Sequence, residues 1–329
     1  MKNNYKLFSG SGNEKLAHDI ARLLSKPLGK IEIVTFSDSE KRVRILEDVA
    51  NKTVFVMASL GNPVDSNLVE LCLIADALKT NDCGKLVAVI PYYGYARQDK
   101  AHREGEGISA RVMARLIEAV DFNKVVTVDL HSDLVAGYFH IGVVHLFGAE
   151  IFAKSLLSGG HSERNEESRP HGRSRMREGS LDKSGMTDYV VIAPDAGAAK
   201  RAQKFAEILD APLAMMEKKR SLEKLHTIEH HRLIGNVDGK ICVLVDDVVT
   251  SGSTLVKAAY ALKDHGAKKV LACVTHADFV EGTHKVIADS PIDRLYVSDS
   301  IHLSPELKFP KLEVITLAPL LANQIKKIV

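Results

Sequence analysis

Val243-Leu-Val-Asp-Asp-Val-Val-Thr-Ser-Gly-Ser-Thr254 joins an apolar run, two acids and a hydroxyl-rich turn to the start of a helix-period segment. A short run of valine and leucine bounded by turn residues reads as a buried strand, and the helix after it makes the pair the front of a β-α-β unit. The turn has the chemistry of a sugar-phosphate site. Gly252 frees backbone N–H groups and Thr250, Ser251, Ser253 and Thr254 supply hydroxyls, all at a helix N-terminus that favours an anion. Asp246 and Asp247, at the carboxyl end of the strand, can accept hydrogen bonds from ribose hydroxyls. The plain alternative is a strand-to-helix turn with a Ser or Thr N-cap; the adjacent acid pair weighs against it.

Outward from this unit, valine- and isoleucine-rich runs recur at 31–35, 53–58, 86–90, 125–129, 190–193, 241–245, 270–275 and 294–297, with helix-period segments between many of them. Their nearly continuous apolar character predicts an α/β protein with buried, mainly parallel strands and crossover helices. Residues 53–91 and 240–276 read as variants of one strand, turn, helix, strand unit: Ala77-Leu78-Lys79 in the first answers Ala261-Leu262-Lys263 in the second. Two similar halves follow, residues 1–147 and 148–329. Only the second carries the acid pair and hydroxyl loop; the first has Ser59-Leu60-Gly61-Asn62-Pro63 in its place. Residues 158–188 are polar, charged and nearly free of large apolar side chains, which predicts an exposed, mobile insertion that cannot offset its ordering entropy by burial.

A chain of 329 residues, 45% of them hydrophobic, can bury two ordinary cores. Its formal net charge of +2 gives no polyelectrolyte signature for nucleic acid. No apolar run is long enough to span a bilayer and the first residues lack the apolar core of a signal peptide, so a cytoplasmic protein without a membrane partner is expected. Cys72, Cys83, Cys242 and Cys273 have no metal-like spacing and read as reduced packing residues.

Other chemistry-bearing residues cluster after the runs. Phe36-Ser37-Asp38-Ser39-Glu40 places Asp38 and Glu40 where ligands of open α/β sheets gather, or forms an exposed acidic turn. Tyr92, Tyr93, Tyr95, Arg97, Gln98 and Lys100 follow the run at 86–90 and suit either stacking of a base with Arg97 on phosphate, or a subunit contact. His131, between Asp129 and Asp133, and Asp195, after the run at 190–193, can serve a nucleotide-bound Mg²⁺ directly or through water. Alternatively, His131 is an ordinary hydrogen-bonded strand-end residue and Asp195 a helix cap. Glu217-Lys218-Lys219-Arg220 forms either an exposed basic turn or a loop that closes over phosphates. Residues 317–328, with Leu320, Leu321, Ile325 and Ile328 at helical spacing, predict a packed terminal helix.

Taken in order, residues 36–40, 92–100, 129–131, 195–201, 218–220 and 246–254 resemble the ribose-phosphate pyrophosphokinase family across nearly the whole chain except 158–188. Tyr93-Gly94-Tyr95-Ala96-Arg97-Gln98-Asp99 and Asp129-Leu130-His131 are specific to that family; the Asp-Asp loop is shared with phosphoribosyltransferases generally. The resemblance implies two phosphoribosyltransferase-type domains and transfer of the diphosphoryl group of MgATP to the 1-hydroxyl of ribose 5-phosphate. On it, Phe36, Asp38, Glu40, Arg97 and Gln98 would bind ATP, His131 and Asp195 would serve Mg²⁺, and Lys218 with Arg220 would stabilise the transferring group. Asp246 and Asp247 would hold ribose, with Thr250, Ser251, Gly252, Ser253 and Thr254 at its 5-phosphate. A homo-oligomer built from dimers, up to a hexamer, is also implied, and residues 300–309 loosely resemble part of the family's regulatory region. Thr250 stands where many relatives have aspartate, and Ala198 where the common pattern has a second glycine.

Overall fold

A computed structural model gives the architecture and describes residues 4–159, 188–218 and 231–329. Its first part runs β1 (Tyr5–Ser9), α1 (Glu14–Leu23), β2 (Ile31–Thr35), β3 (Lys41–Ile45), β4 (Thr53–Met57), α2 (Val64–Thr80), β5 (Leu86–Ile90), α3 (Ser109–Ala119), β6 (Lys124–Val128), α4 (Asp133–Ala136) and β7 (Gly142–Leu146). Strands β1-β4-β5-β6-β7 form a five-stranded sheet in that order, every neighbouring pair parallel. The second part runs α5 (Ala149–Gly159), β8 (Tyr189–Ala193), α6 (Ala199–Leu209), β9 (Leu213–Lys218), β10 (His231–Ile234), β11 (Ile241–Val249), α7 (Ser253–Asp264), β12 (Lys269–Ala277), α8 (Thr283–Ala288), β13 (Arg294–Ser298), β14 (Leu312–Ile315) and α9 (Ala318–Ile328). Its seven strands lie in the order β10-β9-β8-β11-β12-β13-β14, parallel except for the edge pair β10 and β9.

Helices on both faces explain why the strands are apolar without alternation. On one side of the first sheet Val54, Val56, Ala88 and Ile90 pack with Leu71, Ile74 and Leu78 of α2. On the other, Leu7, Phe55, Val87 and Val126 meet Leu16 and Ile20 of α1 and Leu321 and Ile325 of α9. The predicted terminal helix therefore exists, and its stripe seals the first sheet although it ends the chain. Each such leucine or isoleucine contributes roughly 1.5–3 kcal/mol through burial. The second sheet is covered by α7 and α8 on one face and by α5 and α6 on the other. The four cysteines are free thiols, three of them buried.

The repeated unit is present as β4-α2-β5 and β11-α7-β12. Two strand readings change. Residues 31–35 form one arm of an antiparallel hairpin with β3, in register Ile31↔Ile45 to Thr35↔Lys41, outside both main sheets. Here Ile31, Ile33, Val43 and Ile45 pack against the core while Arg42 and Arg44 stay exposed, the alternation of a one-sided ribbon. Strand β11 also continues to Val249, because Asp246 pairs with Val274 and Val248 with His276 on β12. The acid pair thus lies inside the strand. The predicted insertion at 158–188 falls almost wholly outside the described residues, among which no helix is long and apolar enough to cross a membrane.

Candidate active site

A cleft of about 1280 Å³ opens between the carboxyl ends of the two sheets. The first sheet brings Arg97, Lys100 and His131 to it; the second brings Asp195, Arg201, Asp246, Asp247 and the loop 250–254. This is where ligands of open α/β sheets bind, because strand ends present side chains and helix N-termini together.

The two sheets touch at its floor. His131, three residues past β6, donates from Nδ1 to Asp247 Oδ2 on β11 at 2.8 Å. Arg201, in the first turn of α6, places Nη1 3.3 Å from Asp247 Oδ1 and 3.7 Å from Asp246 Oδ1. Burial alone would raise the Asp247 carboxyl, but the His131 hydrogen bond and the Arg201 charge hold it well below the usual carboxylate range. Asp246 goes the other way, to about 8, because burial and the adjacent Asp247 charge both oppose its ionisation. His131 is raised, chiefly by its bond to Asp247 and against the effect of burial. The neighbouring acids thus have different surroundings: Asp247 is an anion tied to His131 and Arg201, whereas the ionisation of Asp246 is opposed by burial and by the Asp247 charge.

The loop 250–254 leads from β11 into α7, with a glycine at the cap. Gly252, not a hydroxyl residue, is the N-cap of α7, at φ +74°. A Cβ there would lie 2.9 Å from Ile287 Cγ1 and in a backbone region that side chains disfavour, so only glycine fits. Ser251, Ser253 and Thr254 are exposed to the cleft, Ser251 and Ser253 joined through their hydroxyls at 3.1 Å. The Thr283 hydroxyl donates to the Thr250 carbonyl at 2.6 Å, bracing the loop from α8.

Other named residues lie differently. Asp195 lines the cleft and also closes the turn before α6, its Oδ1 accepting from Ala198 N at 3.1 Å; the N-cap of that helix is Ala198 itself. Gln98 accepts from the Ser109 hydroxyl and is not on the cleft wall, whereas Arg97 is. Phe36, Asp38 and Glu40 form the exposed tip of the β2-β3 hairpin, where Asp38 Oδ1 accepts from Glu40 N at 3.1 Å, and they do not line the cleft of their own chain. Lys218 closes β9 opposite His231; Arg220 lies outside the described residues. Residues given no role in the sequence reading also line the cleft, above all Arg201 and His145, whose Nε2 accepts from Leu130 N at 2.9 Å. Arg201 was detectable as a cation one turn after the Asp195-Ala-Gly turn; His145, inside an unremarkable β7, was not.

The fold and cleft define an enzyme built from two α/β domains, the second of phosphoribosyltransferase type. The profile of the N-terminal domain of ribose phosphate pyrophosphokinase matches residues 5–120, and that of the phosphoribosyl transferase domain matches 175–298. A ribose-phosphate pyrophosphokinase of Caldanaerobacter subterraneus subsp. tengcongensis is 41% identical over 99% of this chain and 95% of its own; that of Clostridium perfringens is 38% identical over 99% and 94%. The crystal structure of phosphoribosylpyrophosphate synthetase from Mycobacterium smegmatis superimposes with a TM-score of 0.85 at 31% identity, covering 99% of both chains. The chain belongs to the ribose-phosphate pyrophosphokinase family.

Proposed function

We propose that this enzyme transfers the β,γ-diphosphoryl group of ATP to the 1-hydroxyl of ribose 5-phosphate, giving phosphoribosyl pyrophosphate and AMP. The observation that carries the reading is the His131–Asp247 contact: it joins the end of the first sheet, beside Arg97, to the sugar-type acids and hydroxyl loop of the second. One cleft then holds both substrates end to end. The loop 250–254 takes the 5-phosphate through hydroxyls and helix N–H groups, and Asp246 accepts from a ribose hydroxyl. The 1-hydroxyl oxygen forms a bond to the β-phosphorus and gives up its proton to water, as the β-phosphorus bond to the bridging oxygen breaks and AMP leaves with that oxygen and its electron pair. Arg97 and, from the β9 end, Lys218 with Arg220 would neutralise the polyphosphate charge, so that positioning and electrostatics do most of the work.

Mg²⁺ fits the donor set. No cluster of three protein ligands exists among the described residues, and Mg²⁺ characteristically takes few protein ligands, completing its shell with substrate phosphates and water. His131, whose Nε2 is left free by the Nδ1 bond to Asp247, and Asp195 would hold it, and it would draw charge from the phosphate oxygens. We further propose a cytoplasmic homo-oligomer. Because Phe36, Asp38 and Glu40 stand away from their own cleft, a role for them in ATP binding requires the hairpin of a second copy. Following AMP and phosphoribosyl pyrophosphate together in the purified protein, with each substrate and Mg²⁺ omitted in turn, tests the reaction; ATP binding without AMP formation would refute it.

A further inference from the structure

Asp129, between β6 and His131, has a φ of +38°. A non-glycine residue stays in this region only where its surroundings hold it there. Here they belong to the second half of the chain. Thr275 Oγ1 and Gly148 N both donate to Asp129 Oδ2. His276 Nε2 lies 3.2 Å from the carbonyl oxygens of both Val128 and Asp129. Facing two acceptors, Nε2 carries the proton, and Nδ1 lies 2.9 Å from the Ser300 hydroxyl, which also lies 3.2 Å from the Thr275 carbonyl. The ring is 3% exposed and the Tyr92 ring covers it, centroids 4.9 Å apart. Gly148 completes the fit: a Cβ there would stand 2.8 Å from Thr275 Oγ1 and 2.9 Å from Asp129 Oδ2.

Strand β12 therefore holds the tip of β6 by its backbone, while its neighbour β11 holds His131 through Asp247, with Val248 and His276 paired in register. We propose that His276 is a positioning residue for the transfer reaction: with Thr275 it fixes the turn at Asp129 and so aims His131 at Asp247 across the domain seam. This rests on the reading of the cleft given above.

Kinetics of the full-length protein test it, alongside wild type, whose failure to form AMP would strike the reading of the cleft and not His276. In an active enzyme, His276→Ala should lower kcat about 100-fold, with KM for both substrates changed less than about 3-fold, as expected for misplacement of a side chain at the reacting centre. His276→Gln, which returns an N–H close to Nε2, should restore most of the loss. In a His131→Ala background, His276→Ala should cost less than about 2-fold more, since it acts through His131. Independent, multiplying losses, an effect confined to KM, or no rescue by glutamine would overturn the proposal. Should His276→Ala fail to fold, the near-isosteric Thr275→Val is expected to lower kcat about 10-fold with the same KM pattern, and wild-type kcat in it would overturn the proposal. A crystal structure of either variant reads the geometry without activity: His131 should leave Asp247, and an unchanged contact also overturns the proposal.

Discussion

The units β4-α2-β5 and β11-α7-β12 share a frame and differ in the turn between strand and helix. In the first, Ser59 and Leu60 are buried, Leu60 N donates to Tyr92 O at 2.9 Å, and Asn67 Nδ2 donates to Gly61 O at 2.9 Å. The Ser59 hydroxyl reaches across to Ser300 O at 2.6 Å. That turn is a joint between domains. In the second, Ser251, Ser253 and Thr254 face open cleft. Ligands of open α/β sheets gather at the carboxyl ends of strands; here the turn residues fill that position with protein in the first unit and leave it open in the second.

The largest break in this comparison should come from Asp247→Ala, which leaves His131 and Arg201 facing each other without their shared anion. Removing one member of a buried ionic cluster costs about 3–5 kcal/mol, so chemical denaturation should show a loss of that order together with loss of turnover. Next is a pair of glycines. Gly252→Ala should raise the ribose 5-phosphate KM and cost roughly 1–3 kcal/mol of strain, whereas Gly61→Ala, whose Cβ would meet Ile301 at 3.1 Å without a positive φ, should leave that KM unchanged. Equal effects on KM would erase the distinction between ligand turn and joint.

The His131–Asp247 contact gives a pH test. Raised in the folded state, His131 stabilises fully below its unfolded value near ~6.5, and that contribution fades as pH rises through the folded value. Asp247, depressed, contributes above its unfolded value near ~3.9 and loses this as pH falls. Without nucleotide or metal, the stability difference between wild type and His131→Asn should therefore be larger at about pH 6 than at about pH 8.5; a difference independent of pH would argue that the contact is absent in solution. The smallest effect separates the serines. Ser59→Ala should lower stability by about 1 kcal/mol and spare substrate affinity, while Ser251→Ala should weaken ribose 5-phosphate binding and spare stability. Titration calorimetry and thermal unfolding of both variants read the two outcomes.

Much of this was legible in the sequence because it is local. Continuous valine-rich runs require cover on both faces, which gave the α/β class and the repeated unit, and the residues of 246–254 carry their chemistry wherever the loop sits. The hairpin at 31–45 was misread because one five-residue run does not reveal its partner, and only the alternation in both arms shows a one-sided ribbon. His145 and His276 lacked a local signal, and Arg201, though visible as a cation after the Asp195 turn, showed no partner: His276 acts on Val128 and Arg201 on Asp247, both distant in the chain.

By itself, then, the sequence determined the central strands of both sheets, their alternation with helices and the chemical character of the loops after them, since period, turn residues and hydroxyl or acid content are properties of neighbouring positions. Tertiary structure decided which loops face one another. It sent α9 back to the first sheet, set Asp247 rather than Asp246 against His131, and gave Asp129 its left-handed turn under His276. Those outcomes depend on packing two sheets end to end, and the energy that selects them lies in contacts between residues more than a hundred positions apart.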